Sequence, residues 1–338
     1  MKVVLALGPS TGGIGRHVQA LAAFLVDSGV AMTTVGPAET LERFPVAGAV
    51  RPGLSVAAVR RAARGADVVH AHGVRAGSIA AAALLGRRVP LVVTWHNLVG
   101  TGGRAGRLVQ TLVARRAAVS LCVSPDLVAH VTRLGGRPRL APVGAARRAP
   151  SGRSVDETRA ELGLTPGIRL VLAVARLNRQ KGLDVLQAAA VLLPADVVVA
   201  VAGEGPERDR LGAPLRLLGA RDDVADLLAA ADVVVLPSRW EGSPLAAHEA
   251  LLAGRPLVAT AVGGVPALVG SADPPAAVLV PAEDPEALAD ALRRLLDDPA
   301  EAAALAERGR RRAAEWPDAA RTVTAVLEVY RQLLGEAD

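Results

Sequence analysis

The sequence is short of several features that would each have fixed a class. Among its 338 residues there is one cysteine, Cys122, which excludes disulfides and any cysteine-based metal site. It stands in Ala117–Val123, which reads as a buried strand, so a core position is expected for it. Aromatic residues make up 2% of the chain, too few for a surface that stacks successive bases of a nucleic acid. Lysine is scarce beside arginine. Long apolar runs are also missing. Although the mean hydropathy is positive at +0.33, no run approaches the roughly 18–20 residues that cross a bilayer. Met1–Gly8 holds one lysine and an apolar run that stops at Gly8-Pro9; it is too short for a signal peptide and suits a first β-strand. A cytoplasmic protein is expected, with the inner face of the plasma membrane as a place where it could attach.

What is present points to a folded chain of two parts. The apolar fraction of 51% excludes wholesale disorder, and the length suffices for two α/β domains. Charge divides the chain sharply. Residues 1–150 hold 19 Lys+Arg and 5 Asp+Glu (19 − 5 = +14), whereas residues 151–338 hold 20 and 28 (20 − 28 = −8). A basic half joined to an acidic half implies different partners for the two. No nucleic-acid reading motif is present, so an anionic acceptor or an anionic membrane surface suits the basic half better than nucleic acid. Arg104, Arg107, Arg115 and Arg116, within Gly103–Ala118, read as a basic, partly apolar helix that could lie on such a membrane. Arg60, Arg61 and Arg64 form another cluster. A solvated face is the plainer alternative for both.

Short β-branched runs alternate with Ala/Leu/Arg-rich helical segments, the pattern of parallel βαβ units. Strands are expected near Lys2–Leu7, Ala31–Val35, Val68–His70, Pro90–Thr94 and Val119–Val123. A second set falls near Arg169–Val174, Asp196–Ala202, Val233–Leu236, Leu257–Thr260 and Ala277–Val280. Two sets of about five predict two doubly wound domains, 1–150 and 151–316, with a break within Gly144–Gly167 where Arg-Arg, Pro-Ser-Gly and Thr-Pro-Gly interrupt the pattern. A last helix is expected over Pro317–Leu334.

Ligands of open parallel sheets bind beyond the carboxyl ends of the strands, so the residues there are the candidates. The first strand leads into a turn with Gly12, Gly13 and Gly15, then His17 and a helix from about Val18. This is neither a P-loop nor a full dinucleotide fingerprint, but it lets backbone approach an anionic ligand; a tight turn alone would also explain it. After the third strand come His70 and His72. His70 fits a hydrogen-bonded core histidine, and His72, nearer the strand's end, is the better candidate for a ligand contact. No third ligand is apparent, so zinc is not expected. The fourth strand ends in Thr94-Trp95-His96-Asn97, again polar groups at a carboxyl end.

In the second half, Arg176 and Lys181-Gly182 follow a strand, and two cations five residues apart can converge on a diphosphate. A solvated basic loop is the alternative. Gly203-Glu204-Gly205-Pro206 would let backbone approach a base or ribose. Ser238–Glu249 is the densest segment. Ser243 and Pro244 read as N-cap and first residue of a helix closed by Gly254, with Glu241 ahead of it and Glu249 inside. The two glutamates suit separate hydroxyls of one extended ligand rather than a glycosidase pair. Gly263-Gly264 and Val265-Pro266 open a further helix at Pro266.

With these residues in this order, the sequence resembles the family 4 glycosyltransferases, over nearly its whole length and most densely from Ile168 to Val269. The matching elements are Gly12-Gly13, Arg176 with Lys181-Gly182, Gly203–Pro206, Ala231–Ser238, the glutamate pair Glu241 and Glu249, and Gly263–Pro266. The resemblance implies a GT-B architecture, two Rossmann-like domains facing across a cleft, and a retaining, metal-independent transfer of sugar from a nucleotide-diphosphate donor, with no cofactor beyond that substrate. It implies that Arg176 and Lys181 bind the diphosphate, that Glu249 holds the ribose and that Glu241 contacts the donor sugar. Gly203, Gly205, Gly242, Ser243, Pro244, Leu245, Gly263 and Gly264 would complete the donor side. His72 matches the histidine beside the reacting sugar, with Gly15, His17, His96 and Asn97 as acceptor-side candidates. The closing helix would return to the first domain. The chain departs from the family in its linker, Ala141–Ala146, and in a short stretch between Gly205 and Asp222. A sugar-nucleotide epimerase, a phosphorylase or a non-catalytic nucleotide-sugar binder are the competing expectations.

Overall fold

The computed structural model describes residues 1–10, 12–97, 103–145 and 151–336. The chain divides into two compact units, Met1–Gly144 with Pro317–Asp338, and Ala145–Trp316. The division falls at Gly144 rather than at 150, and the local contacts give the reason. Gly144 donates its N–H to Thr322 Oγ1 at 3.1 Å, and a side chain there would meet the Pro317 carbonyl at 1.8 Å. The next residue, Ala145, donates to His248 Nδ1 of the second unit at 2.9 Å. Arg147 and Arg148, part of the expected break, lie outside the described residues.

The first unit holds β1 (Lys2–Leu7), β2 (Ala31–Gly36), β3 (Ala49–Pro52), β4 (Val68–His72), β5 (Leu91–Trp95), β6 (Val119–Cys122) and β7 (Pro138–Leu140), in the spatial order β3-β2-β1-β4-β5-β6-β7. The second holds β8 (Arg169–Val174), β9 (Val197–Ala202), β10 (Leu215–Gly219), β11 (Val233–Leu236), β12 (Leu257–Thr260) and β13 (Val278–Val280), ordered β10-β9-β8-β11-β12-β13. Every pairing is parallel. The strands that sequence reasoning did not find, β3, β7 and β10, are all at sheet edges. Central strands are covered on both faces and read as unbroken apolar runs. Edge strands such as Ala49–Pro52, exposed at every residue, carry no such signal.

The helices of the first unit are α1 (Gly13–Asp27), α2 (Ala38–Arg43), α3 (Val56–Ala62), α4 (Val74–Ala83), α5 (Gly103–Arg116) and α6 (Pro125–Arg133). Those of the second are α7 (Val155–Glu161), α8 (Leu183–Val191), α9 (Val224–Ala230), α10 (Leu245–Leu252), α11 (Val265–Val269), α12 (Pro285–Asp297) and α13 (Pro299–Glu315). The closing helix α14 (Ala319–Leu334) belongs to the first unit, where Val323, Val326, Leu327 and Tyr330 join α1 and β1 in one core. Cys122, on β6 of the same unit, is buried as well, its thiol pushed up to about 12 by desolvation and by Asp126. Among the described residues no helix is long and apolar enough to cross a membrane.

Candidate active site

In each sheet the order of strands reverses between two neighbours, β1 and β4 in the first unit and β8 and β11 in the second. Loops leaving these strands diverge to opposite faces and open a crevice where ligands bind. The loops after β8 and β11 are Ala175–Gly182 and Pro237–Pro244, which contain the cations and the first glutamate picked out from the sequence.

The two loops are fastened to each other by backbone. Arg239 N–H donates to the Gln180 carbonyl at 2.8 Å, Gln180 Nε2 to the Trp240 carbonyl at 2.9 Å, and Arg239 Nη1 to the Arg179 carbonyl at 2.8 Å. The Arg239 guanidinium also forks onto Asp184 at 2.8 and 2.7 Å and pairs with Glu283. Gly182 has φ +59°, and any Cβ there would lie 2.0 Å from the Pro237 carbonyl. Gly263, after β12, has φ +53° and would place a Cβ 1.7 Å from the Glu241 carbonyl. The close approach and the left-handed backbone both demand glycine at these two positions. Gly203 and Gly205 press in the same way on the carbonyls of Ala175 and Leu177. Loops from β8, β9, β11 and β12 thus meet at one end of the sheet.

At that meeting point Lys181 Nζ lies 2.5 Å from Glu241 Oε1, and Ser238 Oγ donates to the same oxygen at 2.6 Å. The Glu241 side chain is 4% exposed and that of Lys181 16%. A charge buried this deeply is retained only when paired and hydrogen-bonded. Thr260 Oγ1 in turn donates to the Ser238 carbonyl at 2.5 Å, which fixes the serine. Arg176 is exposed on the same loop as Lys181, and Glu249 is half-buried on α10. Helix α10 begins at Leu245 with Pro244 as its N-cap and no side-chain cap, so the expected capping role of Ser243 is corrected by one residue. Pro244 has ψ +75°, outside the helical range, which leaves it in the cap, and Gly254, at φ +64°, follows the helix end as expected. Gly264 is the N-cap of α11 and donates to the Glu241 carbonyl at 3.2 Å. Pro266 therefore falls inside the first turn of α11 rather than at its start.

In the first unit α1 starts at Gly13, with Gly12 as N-cap, five residues ahead of the expected Val18. Gly15 reads as a turn residue but lies in the helix, because the Phe44 ring packs where its Cβ would stand, 2.3 Å away. Two residues on, His17 joins His70, His72 and His96 in a buried cluster, with Asn97 half-buried next to His96 in sequence. His70 is the satisfied core histidine: its Nδ1 meets Tyr330 Oη and its Nε2 meets Thr94 Oγ1, both at 2.6 Å. Its ring lies 4.2 Å from that of His72, whose Nδ1 meets His96 Nε2 at 3.2 Å. The His17 ring stands edge-on to both His72 and His96, at 5.6 and 5.5 Å. His72 Nε2 is buried and has no hydrogen-bond partner among the described residues.

Burial keeps these rings neutral. Desolvation lowers His17 to about 4 and, with the neighbouring His17, His70 to about 3. It drives His72 and His96 well below the usual range, helped by the other rings. A neutral imidazole offers one donor and one acceptor. Among the described residues no group of three or more His, Cys, Asp or Glu side chains is placed to hold a metal ion. Sequence reasoning named Thr94, Ser238 and Arg239 only as members of wider segments and gave them no role, and it missed Thr260 and Tyr330. Ser238 stands three residues before Glu241, a spacing that could have drawn attention, but Tyr330 is 260 residues from its partner His70.

Two doubly wound parallel sheets, the second with a cation–carboxylate pair at its switch point, fit the GT-B class of glycosyltransferases. Comparison with known proteins agrees. The description "Glycosyl transferases group 1" matches residues 168–298, and "Glycosyl transferase 4-like domain" matches residues 12–146. The D-inositol 3-phosphate glycosyltransferase 1 of Catenulispora acidiphila is 34% identical over 313 residues, covering 79% of this chain and 72% of that protein. The D-inositol 3-phosphate glycosyltransferase of Xylanimonas cellulosilytica is 33% identical over 338 residues, with 88% and 80% covered. Among solved structures, Anabaena HepE in complex with UDP superposes with a TM-score of 0.85 at 22% identity, over 98% of this chain and 100% of that one. The chain belongs to the family 4 glycosyltransferases and is a glycosyl-transferring enzyme.

Proposed function

We propose that the enzyme transfers a sugar from a nucleotide-diphosphate donor to an anionic or membrane-associated acceptor, with retention of configuration and without a metal ion. The observation that carries this reading is the buried Lys181–Glu241–Ser238 cluster at the β8/β11 switch point. Lys181 and Arg176 supply two positive charges to the donor diphosphate. Glu241 holds the lysine in place and accepts from a sugar hydroxyl, and Glu249 accepts from the ribose. Solved structures of the same fold that hold a nucleotide sugar, such as HepE in complex with UDP-glucose, support the donor class.

Glycosyl transfer separates a nucleoside diphosphate from an oxocarbenium-like sugar. Cations fixed before the reaction stabilise the negative charge that develops on the leaving phosphate, at no cost in reorganisation. In a same-face attack the acceptor oxygen bonds to the anomeric carbon as its bond to the phosphate breaks. The acceptor's proton passes to the departing phosphate oxygen. His72 Nε2 supplies a neutral hydrogen bond to a sugar hydroxyl, with His17, His96 and Asn97 on the acceptor side. The excess of positive charge over residues 1–150 favours an anionic acceptor met on the cytoplasmic side of the membrane.

A thermal-shift screen of nucleotide sugars identifies the donor, and transfer is then followed with excess EDTA. Unchanged turnover in EDTA and an α-anomer formed from an α-linked donor, read by proton NMR, are the expected results. An inverted anomer or loss of turnover on chelation would overturn the mechanism.

A further inference from the structure

The layer of helices α3, α4 and α5 carries positive charge that almost nothing in its sequence balances. Between Val68 and Pro125 there are seven arginines and no aspartate or glutamate. Three arginines of this layer are engaged on backbone. Arg60 Nη1 donates to the carbonyls of Ala83 and Leu85 at 3.0 and 3.2 Å, Arg116 Nη2 to that of Leu84 at 3.1 Å, and Arg115 Nε to that of Leu134 at 3.2 Å. They satisfy carbonyls at and just past the C-terminal ends of α4 and α6, so not every basic residue of the expected clusters is simply a surface charge. Arg104 and Arg107, in the first turns of α5, are exposed.

Helix α5 packs inward through Gln110, Val113 and Ala114. With roughly 100° between successive residues, its outward face then carries Ala105, Leu108, Val109 and Leu112. Leu108 is 60% exposed and Leu112 58%. Leu85, 65% exposed, follows the Leu84 carbonyl that Arg116 holds. Single exposed leucines are ordinary, but this spacing is a second apolar stripe, opposite the packed one and flanked by arginines. A polyanion would meet the arginines and leave the leucines in water. A bilayer with anionic headgroups meets both.

We propose that α5 is an interfacial helix that docks the first unit on an anionic lipid bilayer. Leu108 and Leu112 enter the boundary of the acyl chains, and Arg104 and Arg107 lie at the headgroups. This goes beyond the donor chemistry, and vesicle binding is read without turnover, so its failure and a failure of the transfer reading are separate results.

The test is co-sedimentation of the full chain with vesicles of phosphatidylcholine alone and with phosphatidylglycerol added. Binding about tenfold or more stronger to the anionic vesicles is expected, weakening with salt. The double variant Leu108→Gln/Leu112→Gln, and separately Arg104→Gln/Arg107→Gln, should each lower that binding about tenfold. Both should keep the wild-type melting temperature and donor turnover in free solution, because these outward side chains are in neither site. Equal binding to both vesicle types would overturn the proposal. So would undiminished binding by the leucine variant, or retention on a soluble polyanion with no vesicle binding.

Discussion

Lys181 is one of two lysines in a chain with 39 basic residues, and it stands in the most buried charge pair of the candidate site. An ammonium is a compact charge that can turn from Glu241 toward an arriving phosphate, whereas a guanidinium is committed to a planar fork. Arg239 plays that second part, clamping Asp184 and Glu283. The backbone around the pair is equally constrained. Gly263→Ala would introduce a Cβ at the Glu241 carbonyl and a side chain at φ +53°, a strain of about 1–3 kcal/mol. It should lower the melting temperature and cut kcat more than tenfold, which thermal unfolding and donor turnover would show together; wild-type values for both would refute the packing argument. Arg176, Lys181 and Glu241 were legible because they lie in the loops that leave β8 and β11, and Glu249 because it is on the helix that follows. The glycines were legible only as ligand-facing turns. Their actual neighbours, carbonyls of loops tens of residues away, could not be read from spacing.

At the scale of elements, the buried central strands could be read from their apolar runs, and the edge strands β3, β7 and β10 could not. Helix starts were misplaced at α1, where Gly15 packs against Phe44 within the helix rather than in a turn, and at α10, where Pro244 is the N-cap rather than the first residue. The return of α14 to the first unit followed from the family resemblance, and its polar role was invisible until Tyr330 met His70. Tyr330→Phe removes the hydroxyl from a buried imidazole nitrogen, which costs about 1–3 kcal/mol when a buried group loses its partner. The expected result is a lower urea midpoint at an unchanged m-value. An unaltered midpoint would mean that the contact does not hold α14 in place.

For the whole molecule, the four neutral histidines make stability depend on pH. His17 titrates at about 4 when folded against an ordinary 6.5, so between these values the unfolded chain binds more protons and stability falls as pH falls. The loss is about 3 kcal/mol for His17 alone. Unfolding midpoints should therefore drop from about pH 7 to about pH 4.5, and a flat profile over that range would contradict neutral burial. On the proposed reading, the division of charge assigns diphosphate chemistry to the acidic half and an anionic surface to the basic one. In the proposed function Lys181 acts on the donor diphosphate. Release of nucleoside diphosphate from the donor selected by thermal shift, compared between the wild type and Lys181→Ala, tests it most directly. A fall in kcat of about 10²–10³-fold with the fold intact is predicted, and wild-type release by the variant would contradict it.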